Sequence, residues 1–269
     1  MSDAIDKTGN LAQAMEHAQQ LLDHDLQQAA LQLEEILAAV PDYVPAHFLK
    51  AVVLGQQQQG EQAIQALEKV LALDPNHPEA WRLLADHSAA IGDKAASESA
   101  YLRHLQSATG NPNLQQAAAA MIANELPTAE RILKSHLKNA PTDVAAIRML
   151  AEVAVRVGRN DDAQALLEYC LELTPGFAGA RYNLAVLLHR TNKSDDALRE
   201  VDQLLAEEPD RPGYRNLAAV VCSRIGEYER SSQLYQALLA EYPQNAKVWL
   251  SHGHVLKTAG RRDDCIAAY

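Results

Sequence analysis

The chain has 269 residues, of which 48% are hydrophobic and only 5% aromatic, so its core must consist mainly of Ala, Leu, Val and Ile. Its 35 acidic side chains against 24 Lys and Arg give a net charge of −11, which argues against nucleic acid and membrane surfaces as partners. Three cysteines without a CxxC pair, and no apolar run near the roughly 18 residues of a membrane span, predict a soluble cytoplasmic protein.

Six prolines divide the chain at a nearly constant interval. Their spacings are 34, 66, 34, 34 and 34 residues, where 66 is 34 plus 32; they are Pro41, Pro75, Pro141, Pro175, Pro209 and Pro243. Each unit of 34 or 32 residues holds two amphipathic stretches with apolar residues at i, i+3, i+4 and i+7, separated by a turn such as Ile91-Gly92-Asp93. Because proline stops a helix, the period predicts a recurring unit of helix, turn, helix and stop.

In chain order, a tail at residues 1–9 precedes copies at 10–43, 44–77, 78–109, 110–143, 144–177, 178–211, 212–245 and a partial copy at 246–269. We expect two blocks, copies 1–3 over 10–109 and copies 4–8 over 110–269, because the period shortens between them. Loop-forming residues predict a kink near 105–116, with a normally packed short loop as the alternative. The stop at Tyr269, halfway along a helix, predicts a fragment of a longer protein; the alternative is a homodimer through the uncapped end.

These residues resemble the tetratricopeptide repeat (TPR), whose pattern has a large residue at position 4, Leu at 7, a small residue at 8, Ala at 20 and Pro at 32. The matching residues include Trp81-Leu84-Ala85, Leu150-Ala151 with Ala163 and Pro175, and Leu184-Ala185 with Ala197 and Pro209. The resemblance covers about residues 10–269. It implies an all-α, right-handed superhelical solenoid of about eight helix–turn–helix repeats, the last incomplete, whose first helices line a concave groove for a partner protein.

Arginine is concentrated in the second part of the chain, with 12 in residues 144–269 against 3 before them. Arg156, Arg190 and Arg224 all occupy position 13 of their copies, which faces the groove in this family. We expect a ladder that Lys257 extends, with further groove residues at Arg148, Tyr182, His189, Asn216, Lys247 and His254. Since guanidinium groups suit carboxylate, sulfate and phosphate, the ladder predicts an acidic peptide as the ligand. The alternative is that a cation in the last turn only complements the helix dipole.

The sequence argues against a clamp for a terminal carboxylate, a metal site and a phosphate-binding site. Among the residues with which some family members clamp a terminal carboxylate, only Arg148 and Asn183 have counterparts here, so we do not expect that clamp. His252 and His254 lie two residues apart and so face different sides of a helix, and no phosphate-binding glycine loop occurs. We therefore expect no catalytic residue, no metal and no cofactor in this chain.

From Met149 onward the chain also resembles the amino-terminal repeats of bacterial TPR–sulfotransferase fusion proteins. The segments that carry this resemblance are 150–158, 212–216, 224–230 and 247–260. It implies a docking region for a protein substrate or partner, ahead of a catalytic domain that transfers a sulfuryl group from 3′-phosphoadenylyl sulfate. A stand-alone adaptor for complex assembly is the alternative, and an enzyme in its own right is a third.

Overall fold

The structure is a computed structural model that describes the backbone of residues 2–268 and the side chains of residues 11–266. Within this range it contains sixteen α-helices and no strand. In chain order the helices are α1 (Ser2–Leu21), α2 (Leu26–Ala39), α3 (Val44–Gln56), α4 (Gly60–Leu73), α5 (Pro78–Ala90), α6 (Lys94–Ala108), α7 (Pro112–Ile122), α8 (Leu126–Asn139), α9 (Val144–Arg156), α10 (Asn160–Leu173), α11 (Ala178–Arg190), α12 (Ser194–Glu207), α13 (Pro212–Ile225), α14 (Tyr228–Glu241), α15 (Ala246–Thr258) and α16 (Arg262–Ala268). Each successive pair corresponds to one predicted copy, so the all-α class and the repeat are confirmed.

The helix ends lie where the repeat predicts them. Each repeat-phased proline stands two residues beyond the end of a second helix, as Pro75 does after Leu73 and Pro209 after Glu207. The turn inside each hairpin from the second to the eighth contains one residue with a left-handed backbone, either glycine or a tolerated substitute. These residues are Gln58, Gly92, Asn124, Gly158, Asn192, Gly226 and Gly260, with φ between 58° and 89°.

Small residues at position 8 of the copies lie at the contacts between helices. Ala151, Ala185 and Ala219 are each 0% exposed, and Gly253 is also buried. Because these side chains are so short, neighbouring helices approach closely, as the repeat predicts.

The chain divides into two compact units, residues 1–84 and 85–269, and helix α5 crosses the boundary. In the first unit, the helix α1 begins at Ser2, within the segment predicted as a tail. Its core includes Met15, Leu33 and Val53 in one cluster and Leu67 and Val70 in another. These apolar contacts between successive hairpins hold the unit together.

The second unit contains the end of α5 and helices α6–α16. Around 105–116, helix α6 ends at Ala108 and α7 begins at Pro112. Leu102 of α6 packs in the same apolar cluster as Leu114 of α7. A larger cluster, which includes Leu167 and Leu184, joins α9–α13. None of the helices that the structure describes is both long and apolar enough to cross a bilayer.

Within this unit, the end of α5 contacts the start of α13, although more than 120 residues separate them. Both carboxylate oxygens of Asp86 accept hydrogen bonds from Nη2 of Arg211, at 2.8 and 3.0 Å. The Asn216 side-chain amide donates to the carbonyl oxygen of Ala89 at 2.9 Å. Gly213 permits this approach, since a Cβ there would lie 3.2 Å from the Ala89 Cβ.

Two further contacts join the same parts of the second unit. Nδ1 of His87 and the hydroxyl of Tyr242 form a buried hydrogen bond of 2.6 Å. Nζ of Lys247 donates to Asp93 at 2.9 Å. We call the four contacts, Asp86–Arg211, Ala89–Asn216, His87–Tyr242 and Asp93–Lys247, the closure. Through the closure, copy 3 meets the last residue of copy 6 and residues of copies 7 and 8 directly as well as through the stack between them.

Candidate binding groove

The helices of copies 3 to 7 surround a cavity of about 380 Å³ on the inner side of the second unit. Much of its wall is apolar, from side chains that include Leu102, Met121, Met149, Val186 and Val220. Three tyrosines and two amides add polar groups; they are Tyr101, Tyr182, Tyr214, Asn183 and Asn216. A cavity of this size lies within the range of roughly 300–1,000 Å³ of small-molecule pockets.

Arg148 is the most buried cation in the wall of this cavity, with 6% of its surface exposed. Its guanidinium carbon lies 3.8 Å from the centre of the Tyr101 ring. Nη2 donates a long hydrogen bond of 3.5 Å to Asn183, and Nε has no hydrogen-bond partner among the described residues. Burial lowers the pKa of Arg148 to about 10, so the group is still charged at neutral pH.

Arg156 lines the same cavity, but carboxylates of the chain neutralise it. Nε donates to Glu152 at 2.9 Å, and Nη2 lies 3.6 Å from Glu98. Burial, and then the nearby charge of Glu98, raise the pKa of Glu152. Of the three position-13 arginines, Arg156 is therefore the least available to an anionic ligand.

Arg190 lies at the carboxyl end of α11 and Arg224 at the carboxyl end of α13, and both remain exposed. Arg190 lines the cavity and forms no ion pair within the described part of the chain. Arg224 donates to the neutral side-chain oxygen of Asn192 at 2.9 Å. Burial, and then the charge of Arg224, lower the pKa of the neighbouring His189. The α11 end thus carries positive charge that no carboxylate compensates.

The remaining predicted groove residues separate into two groups. Tyr182 and Asn216 line the cavity, and burial raises the pKa of the Tyr182 hydroxyl. His189, Lys247, His254 and Lys257 do not belong to its wall. Lys247 instead takes part in the closure, and the exposed residues His254 and Lys257 lie on α15.

Several residues of the cavity wall were not predicted from the sequence. They are Tyr101, Glu98, Asp86, Arg211 and Tyr214. Burial alone would lower the pKa of Arg211, but the Asp86 carboxylate raises it overall. No periodic pattern distinguishes these positions, because their importance comes from contacts between copies that are far apart in sequence.

In the described part of the chain, no three His, Cys, Asp or Glu side chains lie close enough together to hold a metal ion. The three thiols are free and buried. Burial raises the pKa values of Cys170 and Cys222 to about 11, so both are protonated at neutral pH. What the site offers is recognition by fixed cations, amides and tyrosine rings.

Solved structures with a similar fold include two crystal structures of MamA. One matches at 19% identity with a TM-score of 0.52, over 56% of this chain and 89% of that one. The other, of MamA AMB-1, matches at 18% identity with a TM-score of 0.54, over 59% and 94%. A chain of the APC/C hetero-tetramer Cut9–Hcn1 matches at 17% identity with a TM-score of 0.50, over 89% and 48%. At these identities the likeness concerns the fold alone.

No curated protein sequence matches this chain. The family model for the tetratricopeptide repeat matches residues 20–86, 54–122 and 154–221, which together cover more than half of the sequence. The match agrees with the hairpins, the prolines and the small contact residues described above. The chain therefore belongs to the tetratricopeptide repeat family.

Proposed function

We propose that this chain is a protein-binding scaffold that holds an acidic, extended segment of a partner protein at the carboxyl end of α11. The single observation that carries the proposal is the uncompensated charge of Arg190 and Arg224. Both side chains are exposed, whereas Arg156, at the same repeat position, already has carboxylate partners.

Guanidinium groups have the geometry that such a ligand needs. Each presents a planar fork of N–H donors that can bind a carboxylate or a sulfate through two parallel hydrogen bonds. The chain as a whole is acidic, with a net charge of −11, so a positive edge also fixes the orientation in which an acidic segment approaches. Glu-rich and Tyr-sulfated peptides combine the required charge with an extended backbone.

The test is fluorescence anisotropy with a labelled Glu-rich peptide and a Tyr-sulfated peptide. We expect binding that weakens as salt rises from about 50 to about 300 mM, because exposed charges are screened. We expect Arg190→Glu and Arg224→Glu each to weaken binding at least about tenfold, with unchanged helicity by circular dichroism.

A matched control is Arg199→Glu on the second helix α12. Arg199 is highly exposed and pairs with Asp196 of its own helix. The same charge change there should leave the affinity within about twofold of the original protein, because Arg199 already pairs with a carboxylate and lies on the second helix of its hairpin. Equal affinities for Arg190→Glu, Arg224→Glu and Arg199→Glu would contradict the proposal.

We further propose, from the sequence resemblance of residues 149–269, that the scaffold docks a protein substrate for a sulfotransferase domain in the same polypeptide. The alternative is a stand-alone adaptor that assembles a complex without enzymatic activity. The coding sequence downstream of Tyr269 tests this, since a sulfotransferase domain there supports the fusion and its absence supports the adaptor. The three buried free thiols support the cytoplasmic location that we propose for either form.

A second copy of the chain is an alternative partner. Trp249, Leu250 and Ile266 of the last hairpin are 36%, 47% and 66% exposed, and such apolar exposure favours association. Sedimentation equilibrium tests this, because Leu250→Lys should abolish a dimer that uses this face. A monomer at all concentrations would rule the homodimer out.

A further inference from the structure

Arg148 is buried without a direct ion pair among the described residues, and the charge of Glu152 acts on it only at longer range. The guanidinium is held by packing: the Tyr101 ring lies on it at 3.8 Å, and Gly179 leaves room for it, since a Cβ there would be 3.2 Å from its Cζ. The nearest polar contact is a long one to Asn183, and Nε is without a hydrogen-bond partner among the described residues. Burying an ion without a direct counter-ion is costly, so the geometry around Arg148 favours an anionic ligand that completes the pair.

The other charges of the cavity largely balance one another. Its wall carries five cations and three carboxylates, a net charge of +2 from 5 − 3. Arg211 is paired with Asp86, and Arg156 with Glu152 and Glu98. Lys94 also lies near Glu98. Arg190 at the exposed edge and Arg148 inside are left without an ion pair among the described residues, and Arg148 has only the longer-range charge of Glu152, which already pairs with Arg156.

The closure sets the size and shape of what can enter. It joins copy 3 to copies 6, 7 and 8 across the groove through contacts such as Asp86–Arg211 and His87–Tyr242. The enclosed space of about 380 Å³ suits a molecule of small-ligand size. Leucine, methionine and valine side chains and three tyrosine rings form most of the remaining wall.

We propose that this cavity binds a small organic anion with an apolar body, of the aryl- or alkyl-carboxylate class, whose carboxylate pairs with Arg148. The apolar body lies among the tyrosine rings and aliphatic side chains of the wall. This ligand is distinct from the acidic segment proposed above, which uses Arg190 and Arg224 at the exposed edge.

Isothermal titration calorimetry with three probes tests the assignment. We expect 4-phenylbutyrate to bind, 4-phenylbutyramide to bind at least about tenfold more weakly because it lacks the charge, and acetate to give no measurable binding because it lacks the apolar body. No binding of 4-phenylbutyrate at millimolar concentration, or equal affinity for the amide, overturns the proposal.

Two variants locate the site. Arg148→Met keeps the length of the side chain and removes its charge, so 4-phenylbutyrate should bind as weakly as the amide, while the amide affinity stays unchanged. Val220→Phe should weaken both probes by filling the cavity. Unchanged carboxylate affinity in both variants overturns the proposal, and the comparison of probes on the original protein decides it even where a variant fails to fold.

Two further arms separate this site from others. Arg224→Glu should leave 4-phenylbutyrate binding within about twofold, since Arg224 is exposed and does not belong to the cavity wall. Arg148→Met should leave binding of the acidic peptide unchanged, so either proposal can fail without the other. A short peptide with a carboxyl-terminal Phe that binds more tightly than 4-phenylbutyrate would overturn the assignment to a small molecule.

Discussion

His87 and Tyr242 illustrate how single side chains stabilise the second unit. His87 is 8% exposed and Tyr242 is fully buried, and their polar atoms satisfy each other at 2.6 Å. Burial lowers the pKa of His87 from 6.5 to about 4, so the imidazole is neutral at physiological pH. A proton on this ring would place an uncompensated charge inside the closure.

The pH dependence of stability follows from that pKa. The folded value lies below the unfolded one, so the unfolded chain binds more protons between pH 6.5 and 4, and stability falls as the pH falls through this window. We expect a loss of about 2 kcal/mol between about pH 7 and about pH 5, measured by urea unfolding. His87→Phe should remove most of this loss.

The control is His17→Gln, since His17 lies exposed on α1 in the other unit. This variant should retain the same loss of stability in acid. Identical pH dependence of the unfolding free energy for the original protein and His87→Phe would show that protonation of His87 does not cause the loss of stability in acid.

Arg148 and Arg156 show what residue patterns can and cannot predict. Their repeat positions indicate that both face the groove, and both line the cavity. The sequence pattern does not indicate that Glu98, from another copy, lies near Arg156, or that the buried Arg148 has no direct ion pair among the described residues. The charge state of a site depends on neighbours that only the folded chain brings together.

At the scale of elements, the helical hairpin is almost entirely a local structure. Proline and the small contact residues fix each unit from within about 34 residues, which is why the sequence predicts the helices closely. The hairpin turns are likewise determined by residues close in sequence. Gly226 ends α13 with φ 89°, and the amide of Glu227 donates to the carbonyl oxygen of Cys222 at 2.9 Å.

Gly226→Ala tests this local rule. An L-residue is strained in the left-handed region, so we expect the variant to lose about 1 kcal/mol of unfolding free energy in urea. Gly176→Ala is the matched control, because Gly176 is exposed, has no left-handed backbone and has free space at its Cβ. It should be neutral or slightly stabilising. Equal losses in the two variants would contradict the role of Gly226.

At the scale of the whole molecule, the closure distinguishes the second unit from a simple stack. In a repeat protein each hairpin usually contacts only its neighbours, so stability is a sum of local terms. Here Asp86, at position 9 of copy 3, pairs with Arg211, at position 34 of copy 6. Positions 9 and 34 do not carry a pair of opposite charges in successive copies, so no periodic pattern indicates the closure. The sequence alone therefore predicts an open groove.

The proposed site for a small organic anion depends on this arrangement. The cavity exists because copy 3 lies across the groove from copy 7, and its uncompensated cations face a space that the closure limits. An open groove would place Arg148 in contact with solvent and would leave Asp86 and Arg211 apart. The cavity therefore requires that α5 and α13 lie close together.

Disulfide trapping measures that distance directly. The double variant Ala89→Cys/Gly213→Cys would place two Cβ atoms about 3.2 Å apart, close to the roughly 3.5–4.5 Å of natural disulfides. The control Ala89→Cys/Gly176→Cys pairs the same position with an exposed turn where a Cβ has no neighbour within 4 Å. We predict that mild oxidation links the first pair nearly completely, shown by a cross-linked peptide in mass spectrometry, and leaves the control unlinked. Free, alkylatable thiols at both positions of the folded first variant would contradict the closed groove.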